Sequence, residues 1–382
     1  MDDPGLSSGE MTKLFGPEGR VRALLEIEAV LAETQAELGL IPDDAARTIA
    51  SACRGLEVDS GSILAQGWEE GSVLIPLLDS VRSGLGGHGS YLHWETTTQD
   101  IVDTALSWRA SQAIGVLTRD LLDTAEHLTG LAATHRHTWM TARTFLQAAR
   151  PITFGAKVAI WLHALTRRLH DLRSARGGLE VQLGGPVGVG SGMASRSREV
   201  ASLMAERLGL SPGEIPWQAD REPMVSLAAA VAGVARTSEK LAGDLMVLAQ
   251  TEVAEVTMRP GGSTSMSHKA NPVDAMRALA GARLAVTAAS GLLVAPPPRL
   301  ERDAGAWQAE WPLVHQTFDG TSVSVQAVNR ALATIEVDEE RMAANLDRSL
   351  GSDRPETAEM DHVVDSAIAS FERTRSDLVS GR

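Results

Sequence analysis

The 382-residue chain is poor in cysteine, in aromatics and in long apolar runs. Its single cysteine, Cys53, rules out an intrachain disulfide and fits a reducing compartment, where a lone thiol serves as a small buried hydrophobe. Aromatics are 4% of residues, too few for a platform on which successive bases stack. Basic residues are also in deficit. Lys+Arg total 35 against 49 Asp+Glu, and the formal net charge of −14 argues against a general nucleic-acid or anionic-membrane binder. A local cluster of donors can still hold an anionic substrate against a weak, salt-screened global field. The longest apolar run, Val225 to Ala235, falls far short of the ~20 residues of a spanning helix. The N-terminus, MDDPGLSSGEMTKLF, has neither the basic nor the apolar region of a signal peptide. A soluble, cytoplasmic protein is expected, without nucleic-acid or membrane partners.

Alternating β-branched runs are scarce as well, and Ala, Leu, Glu, Arg and Gln dominate, so the expected fold class is all-α. Pro17 to Leu40 reads as an amphipathic helix closed by Gly39 and Pro42. Longer helices are expected over Asp100 to about His137, Pro151 to about Arg176, Val273 to Ala295 and Glu301 to about Glu336, with a short one from Ser195 to Leu208. The strongest period runs from Gln218 to Met258. There Leu227, Val231, Val234, Ser238, Leu241, Leu245 and Leu248 alternate steps of four and three, and Glu252 and Glu255 continue the series. About 40 helical residues would make a rod near 60 Å long, which needs partners along its length. The glycine-rich stretch Gln182 to Gly192 imitates a phosphate loop but lacks the following Lys-Ser/Thr and a preceding strand, so it is read as a helix connection. His135 and His137 are two apart on a helix and do not face each other, so no metal site is expected there.

One break between helices has unusual content. In RPGGSTSMSHKANP, residues 259–272, Gly261 and Gly262 permit backbone conformations closed to other residues. Ser263, Thr264, Ser265 and Ser267 supply hydroxyls, and His268, Lys269 and Asn271 supply donors. Pro272 then sits at a helix's favoured first position, where N-terminal amides attract anions. The combination suits a carboxylate or phosphate, and it also suits a flexible surface loop.

GGSTSMSHKANP resembles the signature loop of the fumarase/aspartase superfamily, G-S-S-x-M-P-x-K-x-N-P, with matches at Gly262, Ser263, Met266, Lys269, Asn271 and Pro272. Ser267 replaces the usual Pro. HWETTTQDIVDTAL, from His93, resembles the family's H-x-G-x-T-S-x-D segment, with Glu95 in place of Gly. ARTFLQAARPITFG, from Ala142, resembles a third family segment through Thr144 and Gln147. Phe145 stands where many members have His. An apolar residue there, together with IPWQADRE, LAQTEVAEV and ERDAGAWQAEW, resembles the branch of bacterial 3-carboxy-cis,cis-muconate cycloisomerases.

The resemblance implies a three-domain fold around a long central helical bundle. The corresponding divisions are an N-terminal helical domain over 1–98, the bundle over 99–337 and a short helical region over 338–382, expected to be truncated. It implies a homotetramer whose active sites each draw on three chains. It makes Ser263 the proton-transferring catalytic group, with Lys269 and His93 beside it. Thr97, Thr98, Thr144, Gln147, Asn271, Arg143, His268 and Met266 are the candidates for binding a small carboxylate substrate. His93 has an alternative as a structural histidine at a helix start, and Arg143 as half of a salt bridge. The superfamily chemistry joins or breaks a bond β to a carboxylate and uses no metal or organic cofactor. Three outcomes follow: lactonisation of a di- or tricarboxylate, β-elimination of an amine, nitrite or similar group from a substituted succinate, or a non-catalytic structural relative.

Overall fold

A computed structural model describes residues 6–190, 192–266 and 269–380. The all-α expectation holds: the described residues form thirteen α-helices and only four short strands. The N-terminal helices are α1 (Gly9–Phe15), α2 (Pro17–Glu37), α3 (Asp43–Gly55), α4 (Ser60–Glu69) and α5 (Leu74–Arg82). The long helices are α6 (Thr98–Thr134), α7 (Phe154–Gly177), α9 (Glu222–Ala249), α10 (Val273–Leu293) and α11 (Ala306–Ala333). A shorter α8 (Ser197–Leu208) lies between α7 and α9, and α12 (Glu339–Leu350) and α13 (Ala358–Val379) complete the chain's helices.

Local chemistry explains where α6 begins. Thr97 caps the Asp100 amide with its side chain, and the Asp100 carboxylate returns a bond to the Thr97 amide, a reciprocal box that satisfies two orphan donors. Leu106, Ala110, Ala113, Leu117, Leu121 and Leu128 then recur at helical spacing and are buried in the bundle. α6 packs on α7 and α11, and α9, α10 and α11 pack on one another. A second core joins α2, α3 and α5 to the first turns of α6 and to Leu183 and Met204, so the chain between α7 and α9 belongs to the N-terminal packing. Cys53 sits in that core, where burial raises its pKa and leaves an inert thiol.

α10 and α11 meet backbone to backbone at two glycines. A Cβ on Gly281 would lie 2.8 Å from the Gly320 carbonyl oxygen, and one on Gly320 would lie 2.7 Å from the Gly281 oxygen. Two backbones meet with no side chain between them. Gly281→Ala is therefore expected to destabilise by about 1–3 kcal/mol through overpacking, against the usual helical preference for Ala. Gly243→Ala in α9, where no atom lies within 4 Å, should be neutral or stabilising. Urea unfolding of both variants checks the contrast in sign.

Several expected boundaries shift. The seam helix ends at Ala249 and has 28 residues, a rod of about 42 Å. Leu227 to Leu248 are buried as expected, but Glu252 and Glu255 leave the helix, with Ala254 at φ 48° in the turn between them. Glu255 departs because Arg143 and Asn345 bind its carboxylate elsewhere. Pro151 does not start a helix. It lies in a hairpin, β1 (Trp139–Thr144) and β2 (Gln147–Thr153), and α7 begins after Thr153, whose hydroxyl accepts from the Ala156 amide at 3.2 Å. A two-stranded hairpin leaves edges on which proline's missing N–H is tolerated. Pro272 is the N-cap residue of α10, not its first helical residue. α11 begins at Ala306, five residues later than expected from Glu301, behind a Gly305 at φ 90°. The remaining pair, β3 (Val256–Thr257) and β4 (Glu336–Val337), ties the end of the α9 turn to the entry of α12.

Candidate active site

The candidate residues fall into three groups. The first lies at the start of α6. His93 is at φ 59°, and its Nδ1 is 2.6 Å from Oε1 of Glu28, a carboxylate buried on α2. Burial lowers the histidine's pKa, but the charge and hydrogen bond of Glu28 outweigh it and raise the pKa above 6.5. Glu28 engages Nδ1, so any proton exchange with a ligand uses Nε2. Thr97 Oγ1 accepts from its own cap and from Arg302 Nη2 at 3.0 Å, which leaves its O–H to donate. Thr98 Oγ1 is 3.2 Å from Ser72 Oγ. Beneath them, the buried Asp100 carboxylate accepts from the amides of Gly184 (2.7 Å) and Gly185 (3.0 Å), from the Thr97 amide and from Gln182 Nε2. The glycine-rich stretch is thus a helix connection tied to this group, as expected. Burial pushes the Asp100 pKa up against the pull of those donors.

The Glu28–His93 pair carries a pH signature. A histidine pKa raised by folding stabilises the native state fully below 6.5, and the contribution fades as pH rises through the raised value. The stability difference between the native protein and His93→Gln should therefore be largest on the acid side of 6.5 and shrink in alkaline buffer. Urea unfolding at both ends of that range measures it; a difference that grows with pH contradicts the assignment.

The second group is the loop before α10. Gly261 and Asn271 exchange backbone bonds, N to O at 2.7 Å and 3.0 Å, and Asn271 Nδ2 donates to the Gly262 carbonyl at 2.8 Å. The loop is thereby closed at its base. Neither Gly261 nor Gly262 has positive φ; a side chain at 261 is excluded because its Cβ would meet Val273 Cγ1 at 2.6 Å. Ser263 Oγ accepts from the Met266 amide at 3.2 Å. The amide of Gly261 is spent on Asn271, so the donor at the serine oxygen is Met266's backbone, not the glycines. Lys269 is exposed, and its ammonium makes no ion pair among the described residues. His268 and Ser267 lie outside the described residues. The loop's mount is ionic: buried Asp274 on α10 binds Arg259 (3.0 Å) and Arg330 of α11 (3.1 Å).

The third group is the hairpin. Thr144 and Gln147 pair across a two-residue turn made by Phe145 and Leu146, both left-handed at φ 51° and 63°. Phe145 is 100% exposed and Leu146 73%. Two apolar side chains in a backbone conformation costing roughly 1 kcal/mol each, held out in solvent, have no rationale within one chain. Arg143 is committed: both its terminal nitrogens bind Glu255, at 2.7 and 3.0 Å, and Glu255 is fully buried. The salt-bridge alternative describes it better than the substrate-binding one.

Within the chain, no hydrogen bond or ion pair among the described residues joins the candidates of one group to those of another. Two participants were not assigned from sequence. Arg302 spans Thr97 and Gln99 (Nε to Oε1, 3.0 Å) from a segment 203 residues away, and Glu28 reaches His93 across 65. Glu28 had a local signal, an acid on the apolar face of α2 between Ile27 and Leu31.

Residues 7–283 match the family model described as lyase. The chain is 35% identical over 358 residues to 3-carboxy-cis,cis-muconate cycloisomerase of Bradyrhizobium diazoefficiens, covering 91% of this chain and 79% of that protein. It is 34% identical over 346 residues to nitrosuccinate lyase of Streptomyces davaonensis, covering 86% and 73%. The crystal structure of 3-carboxy-cis,cis-muconate lactonizing enzyme from Pseudomonas putida superposes with a TM-score of 0.88 at 26% identity, over 97% of this chain and 99% of that one. With its helical bundle, its closed signature loop and relatives that are lyases or cycloisomerases, the chain belongs to the lyase family of the fumarase/aspartase superfamily and is an enzyme of that class.

Proposed function

We propose that the chain acts without a cofactor on a di- or tricarboxylate and that its reaction most resembles lactonisation of 3-carboxy-cis,cis-muconate. The observation that carries this reading is the loop itself: a serine oxygen seated on the Met266 amide, in a segment closed at its base that also carries the exposed Lys269. In lactonisation one carboxylate oxygen of the substrate adds to a carbon of the double bond, forming the C–O bond. The electron pair moves onto the carbon next to another carboxylate, which becomes a dianionic aci-carboxylate, and Ser263 protonates that carbon. Lys269, Asn271, Thr97 and Thr98 are the donors for oxygens that gain charge. In elimination the same serine, as alkoxide, removes the proton instead. Its basicity then depends on the Met266 amide, Lys269 and exclusion of water.

The similarity to a nitrosuccinate lyase supports β-elimination from a substituted succinate as the second reading. The separation of the three groups, and the exposed Phe145–Leu146 tip, support a homotetramer in which each site is completed by neighbouring subunits. Purified protein incubated with 3-carboxy-cis,cis-muconate should remove the diene absorbance. No change at high enzyme concentration, alongside fumarate release from a panel of substituted succinates, would replace the first reading by the second. A monomer by light scattering at micromolar concentration would sink both.

A further inference from the structure

A cavity of about 770 Å3 lies among α2, α4, the middle of α6 and the first turns of α11. Arg20, Arg109, Trp68 and Trp311 stand in its wall, with Ser72 at one edge. Arg109 is 5% exposed. Its Nε donates to the Ala105 carbonyl at 3.1 Å, and its guanidinium lies 5.4 Å from the Phe15 ring. Arg20 lies 4.5 Å from the Trp311 ring. Neither has a carboxylate partner among the described residues, whereas Arg221, buried like Arg109, is held by two carboxylates. A buried cation without a counter-charge costs several kcal/mol, and two in one wall repel each other. Burial pushes the Arg20 pKa down to about 10 and, with Arg20's repulsion added, that of Arg109 to about 9, so both remain charged at neutral pH.

The cavity's edge is also the edge of the first candidate group. Ser72 Oγ is 3.2 Å from Thr98 Oγ1, and Gly305 in the wall follows closely on Arg302, which binds Thr97. The volume is in the range of sites for drug-sized ligands, with far more room than one further carboxylate needs. Indole faces beside guanidinium groups suit a flat or apolar stem that ends in an oxyanion.

We infer that this cavity is the subsite for the non-reacting end of the substrate, an oxyanion carried on an apolar or planar stem and gripped by Arg20 and Arg109. The inference rests on the reading that Thr97 and Thr98 hold the reacting acid. It directs the search toward acids larger than the compact members of the two classes above.

The test is titration of the full-length protein with 2-naphthoate, followed by tryptophan fluorescence and calorimetry. Saturable binding is expected, at least tenfold weaker in Arg20→Gln, in Arg109→Gln and for the neutral 2-naphthalenemethanol, and unchanged in Ser263→Ala. The far-UV circular dichroism of each variant is recorded, and Arg20→Gln, at the less buried position, decides if Arg109→Gln does not fold. Naphthyl phosphate in place of naphthoate tells a phosphate end from a carboxylate end by which binds tighter. Equal binding to Arg20→Gln and to the native protein, equal binding of the alcohol, or no saturable binding at millimolar concentration overturns the inference. Against a turned-over acid, naphthoate should raise KM at constant kcat; a fall in kcat at constant KM makes the cavity remote and also overturns it. If naphthoate binds as expected while Ser263→Ala keeps full turnover, the reaction assignment falls and the anion site stands.

Discussion

Ser263→Ala lowers kcat by about 100- to 10,000-fold and leaves the fold intact. The size follows from the ordinary contribution of a positioned acid or base to proton transfer at carbon. The intact fold follows from the side chain's surroundings: among the described residues its hydrogen bond is the 3.2 Å contact from the Met266 amide, in an exposed loop whose closure depends on Gly261, Gly262 and Asn271 instead. A surface change of this kind moves stability by no more than about 0.5 kcal/mol. Rate loss without loss of melting temperature is therefore the expected pair of results. Unchanged turnover on whichever acid the enzyme accepts would remove Ser263 from the chemistry. Lys269→Met should also act on rate without unfolding, because no ion pair among the described residues is lost with the exposed ammonium.

The largest loss of stability is expected at Arg221. This guanidinium binds both oxygens of Asp103 (2.6 and 3.1 Å) and both of Glu310 (2.7 Å from Nη2 and 3.0 Å from Nε), over the face of Trp217. Asp103 is fully buried and also accepts from Trp307 Nε1 and Gln99 Nε2. Arg221→Met keeps most of the side-chain volume and leaves two carboxylates in the core without a cation, which costs about 3–5 kcal/mol. Burial already raises the Glu310 pKa against Arg221's pull, and without the arginine it rises further. Protonation then relieves the penalty, so the variant's deficit in urea unfolding should be greatest at alkaline pH and diminish as pH falls. A deficit independent of pH would mean that lost packing, not stranded charge, dominates. Because Gln99 also orients Arg302 on Thr97, the variant should bind substrate more weakly even where it is folded.

The parts of this protein legible in sequence are those whose chemistry is contiguous. The signature loop names its own serine, lysine and asparagine, and the α6 cap stands three residues from its partner. Contacts between distant segments were not legible. Glu28 with His93 and Arg302 with Thr97 are products of packing, and no local pattern announces them except an acid on an apolar stripe. The period of the seam from Leu227 runs on past Ala249, where the helix itself ends. Glu252 and Glu255 keep the heptad step, yet Arg143 and Asn345 draw Glu255 into a tertiary ion pair that a one-dimensional period does not register. The hairpin was hidden because its strands are six and seven residues long and its turn holds Phe and Leu, where glycine or asparagine would mark a left-handed turn.

The glycine crossing at 281 and 320 bears on how the site is held. α10 starts where the loop ends, and α11 starts just after Arg302. The two helices run antiparallel, since Asp274 at the start of α10 meets Arg330 near the end of α11, so the crossing lies between the loop at one end and Arg302 at the other. The loop and the Arg302 segment are therefore anchored at opposite ends of one close-packed pair. A side chain larger than glycine at either crossing position would push apart the supports of both.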